Sequence, residues 1–216
     1  MREKKGRIIY FETNGNMKVV FDNVNIAPTT IMWDEISDKN DAATMANLWT
    51  GSKIHYYLNN DFLNTFTDIS KFNDRAWAIG NLYNSANFYG ANGYFERERL
   101  ETATHKVGLP SISDVLISSS NQHCLLDEKL DGRPATTNCT SNNWLLNSSV
   151  YMWLSNGVAY SNINKLETYA YSINSEGLQE FLKNNTTLQV RPVIYFSQSN
   201  IKNNTTGTIN NPYEIN

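Results

Sequence analysis

The sequence predicts an α+β protein, with two helices packed on a twisted antiparallel sheet that carries long loops. Three observations carry this expectation: an asparagine-glycine hairpin near the N-terminus, one stretch of sustained helical period at 52–66, and a final third made of short strand-like runs separated by turn residues. The chain has 216 residues, 40% hydrophobic and 12% aromatic, enough apolar surface to offset the backbone entropy of folding. No internal linker or repeat interrupts it, so residues 1–216 read as one domain.

Residues 6–13 are a short apolar run, Asn14-Gly15-Asn16 a turn, and 17–21 apolar again, which is the hairpin signal. After an irregular stretch around Ala27-Pro28, Ser52 is a candidate N-cap for a helix over 52–66. There Ile54, Leu58, Phe62 and Phe66 recur every four residues and Tyr57 and Leu63 broaden the stripe, while Asn59, Asn60, Asp61 and Asn64 are expected to face outward. Residues 81–94 show no period and read as a long surface loop. Residues 106–109 read as a brief buried strand broken by Pro110, after which Ser111 or Ser113, with Asp114, starts a short helix ending at Ile117. Residues 118–143 form a polar loop in this reading, followed by strands at 150–154, 158–161, 169–173 and 190–196.

Only 18% of residues are charged, with a net charge of −3 and the two signs interleaved, which argues against a nucleic-acid partner. No apolar run approaches the roughly 18 residues of a membrane span. In place of charge the chain carries 31 Asn, 18 Ser and 18 Thr, a composition that suits turns and hydrogen-bonding contact surfaces, although an A/T-rich genome accounts for it equally well. Met1-Arg2-Glu3-Lys4-Lys5 is basic, but only residues 8–11 follow as an apolar stretch, short of a signal peptide. The chain is therefore expected to be cytosolic, or a piece whose leader and anchor lie upstream.

Residue patterns that carry chemistry are few. His55, His105 and His123 stand in different predicted elements without metal-ligand spacing, and each reads as a surface or edge residue. No phosphate loop or nucleophile elbow occurs, so no catalytic residue, cofactor or metal is assigned. Glu96-Arg97-Glu98-Arg99 reads as a solvated face. Trp144, Tyr151, Trp153, Tyr160, Tyr169 and Tyr171 crowd one region; such rings pack in cores, and beside amides they also stack on sugars. Cys124 and Cys139 are either two unpaired small residues or a bridge contributing roughly 3 kcal/mol. Gly132 and Pro134 in the polar tract between them predict an exposed loop with little core, which favours the bridge and an oxidising compartment.

Four segments in order carry a family resemblance: Gly6-Arg7-Ile8-Ile9 with Met17-Lys18-Val19-Val20; the run from Tyr57 to Phe66; Lys106-Val107-Gly108-Leu109-Pro110-Ser111-Ile112-Ser113-Asp114; and Val190-Arg191-Pro192-Val193-Ile194-Tyr195 with Gly207-Thr208 and Asn211-Pro212-Tyr213. Together they resemble an uncharacterised C-type-lectin-like domain family of low-GC Gram-positive surface and pilin-like proteins. The resemblance implies that strand 190–196 pairs in the central sheet, that a Trp-rich segment (144–153) precedes it, and that Cys124 and Cys139 are bridged. The calcium-sugar signatures of true C-type lectins are missing, so calcium is not implied. The implied role is that of a non-catalytic recognition or adhesion module, extracellular or at the cell surface and displayed by an upstream anchor. It would bind glycan or protein through the loops 81–94 and 122–143, with no single binding residue assigned. The alternatives are a formylglycine-generating-type oxidase acting on a protein cysteine, and a structural subunit contacting neighbouring copies in a pilin-like filament.

Overall fold

The computed structural model describes residues 6–21, 30–34, 49–79, 96, 98–99, 102–126, 137–140, 143–146, 150–157, 169–175, 177–183 and 185–205. The fold is α+β. The first two strands, β1 (Gly6–Phe11) and β2 (Asn16–Phe21), form the expected hairpin. Gly15 sits at φ 82°, where an L side chain is strained, and the Asn14 side chain accepts from the Asn16 amide at 3.1 Å. Strands β3 (Thr30–Met32), β4 (Arg75–Ala78), β5 (Thr102–His105), β6 (Val107–Gly108), β7 (Met152–Gly157), β8 (Tyr169–Asn174), β9 (Gly177–Lys183), β10 (Thr187–Gln189) and β11 (Val193–Ser197) come after them along the chain.

These strands make two sheets and a ribbon. A four-stranded antiparallel sheet runs β1-β2-β11-β6, a five-stranded sheet runs β3-β10-β7-β8-β9, and β4 pairs with β5. The strands expected at 150–154 and 190–196 both form, but in different sheets, and the second sheet is not purely antiparallel because β10 meets β7 in parallel at Gln189 and Met152. The run 190–196 does not stay in one strand from its start. Pro192 has no N–H to give a ladder, and its carbonyl accepts from Phe21 instead, at 2.8 Å. Beside it the buried Arg191 donates to the carbonyls of Phe21 and Leu145.

The helix expected at 52–66 is real, and Ser52 caps it by accepting from the His55 amide. It begins as α1 (Lys53–Tyr56), widens to a π-helix over Tyr57–Phe62 and tightens to a 3₁₀ turn at Leu63–Thr65. Side-chain amides reach back to the carbonyls four residues earlier, Asn59 to His55 and Asn60 to Tyr56, and compete with the regular ladder there. Ile54, Tyr57, Leu58, Phe62 and Leu63 are buried as the stripe required. Asn59 departs from expectation: it is half-buried, and its amide both donates to and accepts from the backbone of Val107, clamping β6.

The second helix, α2 (Ile112–Ile117), is capped by Ser111 in a reciprocal box with Asp114; Ser113 lies inside the helix. Residues 118–143 are not simply an exposed loop. Two short helices, α3 (His123–Leu126) and α4 (Thr137–Thr140), lie within them, and a disulfide joins Cys124 to Cys139 with both residues fully buried. Asn143 holds this segment to α2 by donating to the carbonyls of Val115 and Cys139.

One part of the core is a chain of edge-on phenylalanines, Phe21, Phe62, Phe66, Phe72 and Phe196, with neighbouring centroids 4.7–5.7 Å apart. Another groups Trp33, Trp49 and Trp153. Trp153 and Tyr171 of the predicted aromatic group are fully buried, Trp144 and Tyr151 half-buried, and Tyr160 and the Tyr169 side chain lie outside the described residues. So do the expected loop 81–94, the expected strand 158–161 and the tail from 206 onward. Among the described residues no helix is long and apolar enough to cross a membrane.

Candidate functional site

A site grows from one irregularity in β1. Ile8 pairs with Val19 and Tyr10 with Lys18, so Ile9 is an extra residue, a bulge that re-aims the strand. Without it Ile9, not Tyr10, would stand opposite Lys18. On the other side of β2, Tyr195 of β11 is opposite Lys18. Tyr10, Lys18 and Tyr195 therefore form a row across three strands on one face. The two phenol oxygens meet at 2.9 Å across the lysine between them.

Trp77 of β4 completes the surround. Its ring lies 5.1 Å from that of Tyr195, and its Nε1 donates to the carbonyl of His105 in β5. It also lies flat against the chain at Gly108, where a Cβ would come within 2.4 Å of a ring carbon, so only glycine fits. The Lys18 ammonium thus sits 5.4–5.6 Å from three aromatic centroids, those of Tyr10, Trp77 and Tyr195. It donates to both oxygens of Asp114, at 2.8 and 2.7 Å, and the pair is almost entirely buried. Burial opposes a charged lysine, but Asp114 and the two tyrosines outweigh it and hold the ammonium well above its ordinary range. Lys18 is therefore a fixed cation and a poor nucleophile or base. Burial likewise raises the Tyr10 phenol, which keeps its proton at neutral pH.

Asp114 is positioned by its own helix, accepting from the Ser111 amide at 2.8 Å. A second carboxylate enters from the segment expected to be solvated. Glu96 and Arg99 are exposed, but Glu98 is completely buried, and its oxygens accept from the amides of Ile112 and Ser113 and from the Ser113 hydroxyl at 2.6 Å. Burial pushes it up to about 7, the Ser113 hydroxyl pulls it down, and Asp114 adds to the rise. Beside the buried pair lies a cavity of about 30 Å³, lined among others by Tyr10, Lys18, Trp77, Arg99, Ser155 and Tyr195. That is room for one or two waters, or for one small polar group of a ligand.

A second polar pair contradicts the reading of separate histidines. Nε2 of His55 in α1 lies 3.2 Å from Nδ1 of His105 in β5, and both rings are half-buried. Burial lowers each, His55 to about 4 with the neighbouring imidazole contributing. His123 is exposed as expected. Among the described residues no group of three or more His, Cys, Asp or Glu side chains is placed to hold a metal ion.

Sequence reasoning named none of the pocket residues as a site. One signal was present: Lys18 interrupts the otherwise apolar run 17–21, and a lysine in a strand buried on both faces needs a partner. Of the proposed contact loops, 81–94 lies outside the described residues and 122–143 is described only in part. A family model, described as a domain of unknown function (DUF6273), matches residues 14–198. No curated protein and no solved structure matches the chain.

Proposed function

We propose that this chain, which belongs to the DUF6273 domain family, is a non-catalytic recognition module that works outside the cell, with a C-type-lectin-like arrangement of sheet and loops. The observation that carries this reading is the pocket around Lys18. Its buried charge is matched internally, Lys18 to Asp114, and the rest of its lining supplies phenol, indole and hydroxyl groups with Arg99 as the one further charge. Such a wall binds hydroxyl-bearing ligands through hydrogen bonds and ring faces without supplying a nucleophile. A frame of paired strands holds it, so loops around it are free to vary in contact chemistry. The buried disulfide supports an oxidising compartment, and therefore surface display.

The same bridge bears on the oxidase alternative, because an enzyme of that type needs accessible thiol chemistry and here both sulfurs are tied to each other inside the core. The test is saturable binding of the purified chain to arrayed glycans and to surface-protein extracts, with sedimentation run in parallel. Binding weakened by Tyr10→Phe combined with Tyr195→Phe supports the module. Thiol-dependent oxygen consumption with a cysteine peptide, or concentration-dependent assembly without ligand binding, overturns it.

A further inference from the structure

The hydrogens of the pocket can be counted. Ser113 donates to Glu98, which leaves Ser111 as the donor in the contact between the two serine hydroxyls, 2.8 Å apart. Ser155 has one hydroxyl hydrogen, within reach of the Ala78 carbonyl at 3.3 Å and the Asn156 side-chain oxygen at 3.4 Å. The carboxylate oxygens are engaged as acceptors: those of Asp114 by Lys18 and the Ser111 amide, those of Glu98 by Ile112 and Ser113. The phenol pair differs. Two hydroxyls in mutual contact use one hydrogen between them, and among the described residues the second has no acceptor. Lys18 directs two of its three ammonium hydrogens to Asp114. Arg99 stands at the rim.

The spare hydrogens and the rim charge thus point one way, toward an acceptor, and the cavity limits that acceptor to a group of a few atoms. We infer that the pocket takes the carboxylate of an acidic sugar residue, with the Tyr10–Tyr195 pair and Lys18 as donors at its base and Arg99 at its mouth. This rests on the recognition reading and narrows it. A neutral hydroxymethyl group fits the same space, but it accepts from these donors without charge, and charge-assisted bonds are about twice as strong. A carboxylate brings acceptors only. The cavity is too small for the sugar ring, which stays outside.

The experiment compares acidic glycans with the same glycans after reduction of the carboxyl to hydroxymethyl, measured by calorimetry at pH 6.5. The expected result is at least tenfold weaker binding after reduction. Either single variant, Tyr10→Phe or Tyr195→Phe, leaves one phenol whose hydrogen is free to donate, so the preference persists. The double variant removes both phenol donors and leaves Lys18 and Arg99, so it is expected to reduce the preference several-fold while keeping the native circular dichroism and melting transition. Arg99→Gln is expected to weaken acidic ligands several-fold and reduced ones little. Equal binding of acidic and reduced glycans overturns the inference and leaves the recognition reading standing. So does an undiminished acid preference in a folded double variant, or binding only to acidic peptides. Absence of binding to any glycan or protein overturns both.

Discussion

Lys18–Asp114 and Lys71–Asp68 join the same two residue types and have little else in common. The first pair lies at 2.7 Å with its side chains 8% and 2% exposed; the second lies at 3.7 Å with side chains 33% and 49% exposed. Water screens the exposed pair, and holding two mobile side chains together offsets most of what their attraction contributes. The buried pair has replaced water with each other, an aromatic surround and the Ser111 amide. Desolvation offsets most of its attraction, so the pair adds little net stability, yet removing one partner alone leaves the other charged and stranded.

The largest effect is therefore expected for Asp114→Ala, which strands a buried ammonium and removes a helix cap. It should cost about 3–5 kcal/mol by urea denaturation. If the cost reflects the uncompensated charge, Lys18→Met combined with Asp114→Asn should return to within about 1–2 kcal/mol of the wild type, since methionine fills the lysine stem and asparagine still accepts from Ser111. A double variant as unstable as the single one would show that the stranded charge is not the cause.

Next in size is a pH effect on the neighbouring carboxyl. Glu98 titrates in the folded protein at about 7, above its ordinary 4.5, so the stability it contributes is full below pH 4.5 and is lost as pH rises through 7. Glu98→Gln removes that loss, and the difference between variant and wild type should move in the variant's favour by roughly 1.4 kcal/mol per unit over this window. His55 runs oppositely. Its folded value of about 4 lies below the ordinary 6.5, so its contribution is full above 6.5 and is lost as pH falls through 4. His55→Asn should therefore fare relatively better at pH 4 than at pH 7, read from the same denaturation midpoints. The smallest expected effect is that of Lys71→Met, which should leave the melting midpoint unchanged at any salt concentration. A clear loss there would mean that exposure does not separate the two lysine pairs.

Much of the frame was legible because local signals agreed with the tertiary result. Asn14-Gly15 set the hairpin, Ser52 and a four-residue stripe set the first helix, and Pro110 followed by Ser111 and Asp114 set the second. The two cysteines bridge, as the resemblance implied. The features that escaped depend on partners remote in sequence. Glu98 reads as solvated because alternating charges are usually solvated, and its burial is decided by α2, whose Ile112 and Ser113 lie fourteen and fifteen residues on. His55 and His105 show no common spacing because they lie fifty residues apart, on elements that meet only in the folded chain. The Ile9 bulge has no signature of its own among apolar neighbours, yet it decides that a tyrosine faces Lys18.

The place of β11 also fixes an order of events. It inserts between β2 and β6, so the inner edge of the N-terminal hairpin is closed by a strand that is made long after it. At about 5–20 residues per second, a newly made β2 waits on the order of ten seconds for that neighbour. Throughout the wait its open edge carries the Lys18 ammonium in the middle of an apolar run, and charge on an exposed strand discourages pairing with another chain. The residue that ends as the most enclosed cation of the pocket thus begins as the guard of an unfinished sheet.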